Sequence, residues 1–247
     1  ALAARGHRLR LLVRRGSDRR NLAGLAAEHH EGDLTDPASL ARGVAGCAAV
    51  VHVAADYRSW VPDPGAMMAA NVAGTTALLR AARAAGVARV VHCSSVAALG
   101  VSADGTPVDE ETAVDPAALV GPYKLSKYLA EQEVLRLVRE EGVPAVIVNP
   151  SMPVGPRDIK PTPTGRMIRD AARGRLPAYV ETGMNLVHVD DVAAGHVLAL
   201  ERGVVGRRYI LGGENLTMRA LLALIAEVAG QAPPRLRLPI GPLMPLA

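Results

Sequence analysis

The 247-residue sequence contains no phenylalanine, and aromatic residues make up only 2% of it. Any core must therefore be filled by alanine, valine and leucine. It holds two cysteines, Cys47 and Cys93, each isolated within an apolar run and without metal-ligand spacing. They read as small buried residues of a reducing compartment, the cytoplasm, and no metal site is expected. No uninterrupted apolar stretch reaches the roughly 18 residues of a membrane span, and no signal-peptide pattern is present. The net charge of +4 is spread without a long basic run, and no aromatic interleaving suggests a nucleic-acid surface. Internal repeats and low-complexity segments are absent as well. What remains is 49% hydrophobic and 21% charged, ordinary for a globular protein with one large domain or one domain and a smaller partner.

Both ends look cut. Ala1 to Gly6 reads as the last turn of a helix closed by Gly6, and Pro242-Leu243-Met244-Pro245-Leu246-Ala247 stops without a terminating signal. Between them, short apolar runs at 8–13, 48–53, 88–93 and 143–149 alternate with helical patterns. Asp36 and Pro37 open one helix as cap and first residue. A second runs over about 66–84 and ends at Gly86, and a third runs over about 122–141 behind Pro122. Loops are expected from Asp56 to Gly65 and from Ser102 to Ala117, the latter carrying Gly105, Pro107 and Pro116. This alternation predicts an α/β fold, a doubly wound parallel sheet with right-handed crossovers. After Asn149 the texture becomes less regular. Residues 1–150 are expected to form one domain, and 151–247 a small C-terminal substrate-binding layer over the carboxyl ends of the strands. Within that part, about 186–202 returns to the first domain.

Tyr123 and Lys127 lie four residues apart, one turn on the same face of a helix. Ala130, Val134 and Leu137 continue that stripe and mark it as buried. A free tyrosine, with a pKa of about 10, is a poor acid or base at neutral pH. A lysine cation one turn away is expected to favour the phenolate and pull that value down.

In order along the chain stand Gly32-Asp33-Leu34, Val51-His52-Val53-Ala54-Ala55, Asn71-Val72-Ala73-Gly74-Thr75, Ser94-Ser95, Tyr123-x-x-x-Lys127, Asn149-Pro150-Ser151 with Gly155-Pro156, and Val187-His188-Val189-Asp190-Asp191. In this set the sequence resembles the extended short-chain dehydrogenase/reductase (NAD-dependent epimerase/dehydratase) superfamily, over nearly its whole length. The resemblance implies a Rossmann fold with Tyr123 as general acid/base and Lys127 as its partner on the nicotinamide ribose. Ser95 would bond the reacting oxygen, with Ser94 as the fallback; both serines also fit as caps of local backbone. Asn71 would support the site through a water, or is simply a helix-start residue. Asp33 would accept from the adenine amino group, with Leu34 beside it, although Asp33 also suits a turn. Ala54 and Ala55 would let the backbone approach the cofactor, and Pro150 and Ser151 would lie near the nicotinamide. His52, His188 and Asp190 are assigned to structure and Asp191 to a helix cap. The family's first strand and Gly-rich pyrophosphate turn are missing, which reads as truncation.

The runs around Arg5 to Arg15 and Ser17 to Leu22 resemble the dihydroflavonol-reductase-like branch. Gly155 to Gly165 and Tyr209 to Thr217 are similar to the bacterial hopanoid-associated sugar epimerases. The leading expectation is thus an NAD(P)-dependent sugar epimerase acting on a small-molecule substrate. The alternatives are an NADPH-dependent ketone reductase and a non-catalytic NAD(P)-binding regulatory protein. Two features favour the reductase. Met184-Asn185 stands where many nucleotide-sugar epimerases carry a diphosphate-binding arginine; Arg157, Lys160, Arg166, Arg169 and Arg173 would replace it or are solvated charge. Arg14, with Arg15 and Ser17, closes the second strand where an acid would bond an NAD ribose, and suits the 2′-phosphate of NADP. The resemblance further implies a homodimer built on the helices at 66–84 and 122–141.

Overall fold

The computed structural model describes residues 1–58, 61–102, 106–239 and 241. Ser59 and Trp60 of the first expected loop, Gly105 of the second, and the apolar run Pro242 to Ala247 lie outside the described residues. In chain order the elements are β1 (Leu9–Val13), β2 (Ala27–Glu31), α1 (Pro37–Val44), β3 (Ala49–His52), α2 (Pro64–Met68), a π-helical turn (Ala69–Ala73), α3 (Gly74–Ala84), β4 (Arg89–Cys93), α4 (Pro122–Glu141), β5 (Ala145–Pro150), β6 (Met152–Val154), α5 (Pro163–Ala172), β7 (Ala178–Val180), β8 (Gly183–His188), α6 (Val189–Arg202), β9 (Arg208–Leu211), β10 (Glu214–Thr217), α7 (Met218–Ala229) and β11 (Leu236–Leu238). They divide into two compact units, Ala1–Pro150 with Asp190–Leu211, and Ser151–Val189 with Gly212–Ala247.

The first unit is an α/β fold of parallel strands. β1 pairs with β2, and a four-stranded sheet runs in the order β3-β4-β5-β9. β5 is buried along its whole length, as parallel strands covered on both faces must be. Side chains alternate across it. Ala145 and Ile147 join Val90, Leu79, Val134 and Leu137 beneath α3 and α4. Val146 and Val148 join Val91 and Ala199 of α6 on the other face. Helices on both faces of a parallel sheet make the doubly wound arrangement.

Several boundaries follow from local chemistry. Asp36 caps α1 by accepting from the Ala38 and Ser39 amides, with Pro37 in the first turn. α4 starts at Pro122 and stops at Gly142, whose φ of 66° is left-handed. Other boundaries differ from expectation. The helix expected at 66–84 begins at Pro64 behind Asp63 and is interrupted by the π turn. α6 begins at Val189, so Asp191 lies inside its first turn instead of capping it. There its charge suits the positive end of the helix dipole.

The second unit, taken by itself, holds a three-stranded sheet in the order β10-β8-β6 and a parallel pair β11-β7. Thr162 caps α5 and Thr217 caps α7 through their hydroxyls. Among the described residues no helix is long and apolar enough to cross a membrane, and no cluster of His, Cys, Asp or Glu is placed to hold a metal.

Candidate active site

The buried face of α4 carries Ser126, Lys127, Ala130, Glu131, Val134 and Leu137. Helical spacing sets Tyr123, Lys127 and Glu131 on three successive turns of one face. Lys127 is only 5% exposed, and its Nζ donates to the Cys93 carbonyl at the end of β4, at 2.8 Å. Tyr123 is half-buried, and its hydroxyl lies near enough to feel the Ser95 side chain.

The electrostatics correct one expectation. Burial raises the Tyr123 hydroxyl above its ordinary value; the Ser95 side chain opposes this, and Cys93 adds to it. Lys127 is not what moves Tyr123. Its ammonium is turned to the Cys93 carbonyl, and its charge is felt by His52, His92 and Cys93. Lys127 is itself pushed down by burial, against the pull of Cys93 and Glu131.

Of the two serines, Ser95 is the one that meets Tyr123. It also caps the short 3-10 turn Val96–Ala98, its Oγ accepting from the Ala97 amide at 3.1 Å, so the capping and site readings hold together. Ser94 donates its amide to the Val148 carbonyl at 2.8 Å. Its Oγ is buried and without a partner among the described residues.

Asn71 sits on the π turn and is buried. Its Oδ1 accepts from the Asp56 amide at 2.7 Å, and its Nδ2 donates to the Asp56 carbonyl at 2.8 Å and to Ser126 Oγ at 2.9 Å. Both amide hydrogens are thereby used. Asn71 fastens the segment after β3 to α4 directly. One turn on, Thr75 donates to the Asn71 carbonyl at 2.6 Å and meets His52 Nε2 at 2.9 Å. The hydroxyl hydrogen is spent on Asn71, so His52 carries its proton on Nε2. His52 and His92 stack obliquely, 5.2 Å between ring centroids. Burial holds both rings neutral, His52 falling to about 3.

A second set of residues at this level was given no role from the sequence. Asn149, fully buried on β5, donates to the Ser95 carbonyl at 3.1 Å and to Glu131 Oε2 at 2.8 Å. Glu131 Oε1 pairs with Arg208 Nη1 of β9 at 3.2 Å. Arg208 also bonds the Glu110 carbonyl, while the Glu110 carboxylate takes the Ile210 amide at 2.8 Å. The available signal was Glu131 itself, a carboxylate on a stripe of apolar positions.

On the cofactor side, Arg14 and Arg15 are exposed just past β1. Arg14 lowers both Asp33 and Asp56, though the main causes are bonds from Thr35 and Arg58 respectively. Asp33 Oδ1 accepts from the Thr35 amide at 2.9 Å and its hydroxyl at 2.7 Å, so the turn expected of it is formed. Leu34 packs its side chain on Leu40, Val44 and Leu78, a core contact. A Cβ on Gly74 would stand 2.8 Å from Leu34 Cβ and 2.9 Å from its carbonyl; glycine there lets that backbone reach α3. Ala54 is exposed and Ala55 half-buried. Pro150 ends β5, and Ser151 Oγ is buried without a partner among the described residues.

In the second unit Asn185 is committed to the sheet, donating to the Gly213 carbonyl at 3.2 Å and Asn215 Oδ1 at 2.8 Å and accepting from the Gly213 amide at 2.8 Å. Lys160, Arg166, Arg169 and Arg173 are exposed. Asp158 binds the Thr162 amide and hydroxyl, both at 3.0 Å for Oδ2.

Parallel strands covered on both faces, with a tyrosine, a serine and a buried lysine together at one strand end, define a dinucleotide-dependent α/β oxidoreductase. Comparison with known proteins agrees. Residues 1–212 match the NAD dependent epimerase/dehydratase family. A dihydroflavonol 4-reductase-like protein of Synechocystis is 45% identical over 243 residues, 97% of this chain and 70% of its own. The crystal structure of gox2253 superimposes with a TM-score of 0.94 at 60% identity, over 100% of this chain and 74% of that one. PA4631, a nucleoside-diphosphate-sugar epimerase from Pseudomonas aeruginosa, gives a TM-score of 0.85 at 30% identity, over 99% and 76%. The chain belongs to the NAD-dependent epimerase/dehydratase family, the NAD(P)-dependent enzymes of the extended short-chain dehydrogenase/reductase type.

Proposed function

We propose that this chain is the catalytic part of a sugar epimerase of the hopanoid-associated kind, acting by reversible hydride transfer at a carbinol carbon. The observation that carries the reading is the Tyr123 hydroxyl in reach of Ser95, with the Lys127 ammonium buried one turn behind it. A substrate oxygen set against both hydroxyls would exchange its proton with Tyr123 while its carbon gives up or regains a hydride. The Ala97 amide fixes the direction of the Ser95 hydroxyl, so Ser95 meets that oxygen without first having to reorient. Tyr123, raised by burial, is a phenol when free and donates when the keto intermediate is reduced. To take the carbinol proton in the preceding oxidation it would act as the phenolate, a form that the positive charge of a bound oxidised nicotinamide would favour. A nicotinamide cofactor would supply the hydride acceptor and donor. Lys127 would hold its ribose, Asp33 its adenine, and Pro150 and Ser151 would flank its nicotinamide. The buried, partnerless hydroxyl of Ser151 is the kind of atom a bound group satisfies. Arg14 and Arg15 favour NADP(H) over NAD(H). The second unit would bind substrate, with the exposed arginines of α5 as its cationic surface.

A ketone reductase is the second reading. It is favoured by Asn185, tied into its sheet where a diphosphate-binding arginine would stand, and by Arg14. The name of the Synechocystis relative points the same way. An epimerase returns the hydride to the other face of the same carbon, so its cofactor is restored each cycle. Full-length protein is therefore expected to purify with oxidised cofactor and to convert one sugar of a nucleotide-sugar panel into its epimer, with no net change at the NADPH absorbance band. Stoichiometric NADPH consumption with a ketone, and no isomer from any sugar, would replace this reading with the reductase.

A further inference from the structure

Glu131 is 1% exposed on a helix face otherwise lined by Ala130, Val134 and Leu137. A buried ion pair is seldom worth more than apolar packing of the same volume. Stability alone therefore does not explain a carboxylate there. Its two oxygens are both engaged, one by Asn149 and one by Arg208. It also lies four residues beyond Lys127 on the same buried helix face, and, after Cys93, its charge works to raise that ammonium against burial.

We propose that Glu131 is a positioning residue of the site, the counter-charge that holds the Lys127 ammonium in the layer between α4 and the sheet. The proposal rests on Lys127 belonging to the site as read above. The groups that face Lys127 from the elements packed on it are few. α4 offers Tyr123 and Glu131, β4 offers His92 and Cys93, and β3 offers His52. Burial keeps Cys93 a thiol and both histidines neutral, and it holds Tyr123 as the phenol. Glu131 is left as the negative charge in this set, and Arg208 of β9 as the cation that competes for it.

These 247 residues contain only three lysines, Lys124, Lys127 and Lys160, so they add few lysine side-chain carbon-13 resonances to be told apart. In labelled full-length protein without cofactor, the Lys127 signal is identified by its loss in Lys127→Arg and titrated with pH. Glu131→Gln is expected to move the Lys127 midpoint down by about one pH unit or more, the usual reach of one close opposite charge. Arg208→Met is expected to move it up. Glu131→Asp, which keeps the charge one methylene further back, should recover at least half of the Gln shift. Opposite shifts in the two variants are the signature of a counter-charge. Should the Gln variant not fold, the Arg208→Met and Glu131→Asp titrations carry the test. An unmoved midpoint, or shifts of the same sign, would overturn the proposal. The titration needs neither cofactor nor substrate, so an unshifted Lys127 in a protein that still turns over would leave the proposed function standing.

Discussion

Arg14 is the residue on which the proposed preference for NADP(H) rests. It stands exposed past β1 and bears on Asp33 and Asp56, two carboxylates whose main partners are Thr35 and Arg58. A 2′-phosphate at Arg14 would bring the charge-assisted, two-pronged contact that a ribose hydroxyl lacks. In the full-length protein Arg14→Ala should weaken NADP(H) by about ten- to hundred-fold, the range for a charge-assisted hydrogen bond. NAD(H) affinity should barely change. Calorimetric titration with both cofactors is the check, and equal losses would mean that Arg14 does not read the 2′-phosphate. The other site residues divide by what the sequence could reveal of them. Tyr123 and Lys127 were legible from their local spacing, and Ser95 only from its place in the ordered motifs of the resemblance. The direction of the Tyr123 shift was not, because it depends on where Lys127 Nζ turns and on how deeply both are buried. Asn149, Glu131 and Arg208 come from β5, α4 and β9, and only the folded sheet brings them together.

At the scale of elements, β3 ends on His52, which lies beside His92, the last residue but one of β4, in the ladder. Burial lowers both below the ordinary histidine value, His52 to about 3. Folding therefore favours the neutral rings. That stability is fully present above about pH 6.5, the unfolded value, and is lost as pH falls below it. Each ring should contribute a slope of about 1.4 kcal/mol per pH unit below that point. Urea unfolding between pH 7.5 and 5 should show this loss, and His92→Leu should reduce the slope by about one proton. A slope unchanged in that variant would contradict the account. The elements themselves were legible where punctuation is local, as in α4 between Pro122 and Gly142 and α1 behind Asp36. β2 was not, because Glu28, His29, His30 and Glu31 lack the apolar alternation of a strand. Pairing with β1 and the Arg10–Glu28 ion pair at 2.9 Å secure it instead. The π turn at Asn71 carries no composition of its own; its extra residue is stabilised by the bonds to Asp56 and Ser126.

For the molecule as a whole, a parallel sheet with helices on its faces follows from alternating apolar runs and crossovers. The short strands β6, β7, β10 and β11 are only three or four residues long and too brief to stand out by periodicity. The family follows from the ordered motifs, whereas the reaction rests on a few atoms at the end of β4 and the start of α4. The central claim is that Tyr123 moves the proton that accompanies hydride transfer. It is tested most directly by single-turnover kinetics of Tyr123→Phe in the full-length protein, with the substrate identified by the panel assay and reduced cofactor followed by absorbance. Phenylalanine removes the hydroxyl and little volume. The account predicts a hydride-transfer step slower by about 100-fold or more with cofactor affinity retained. A near-normal transfer rate in that variant would contradict it.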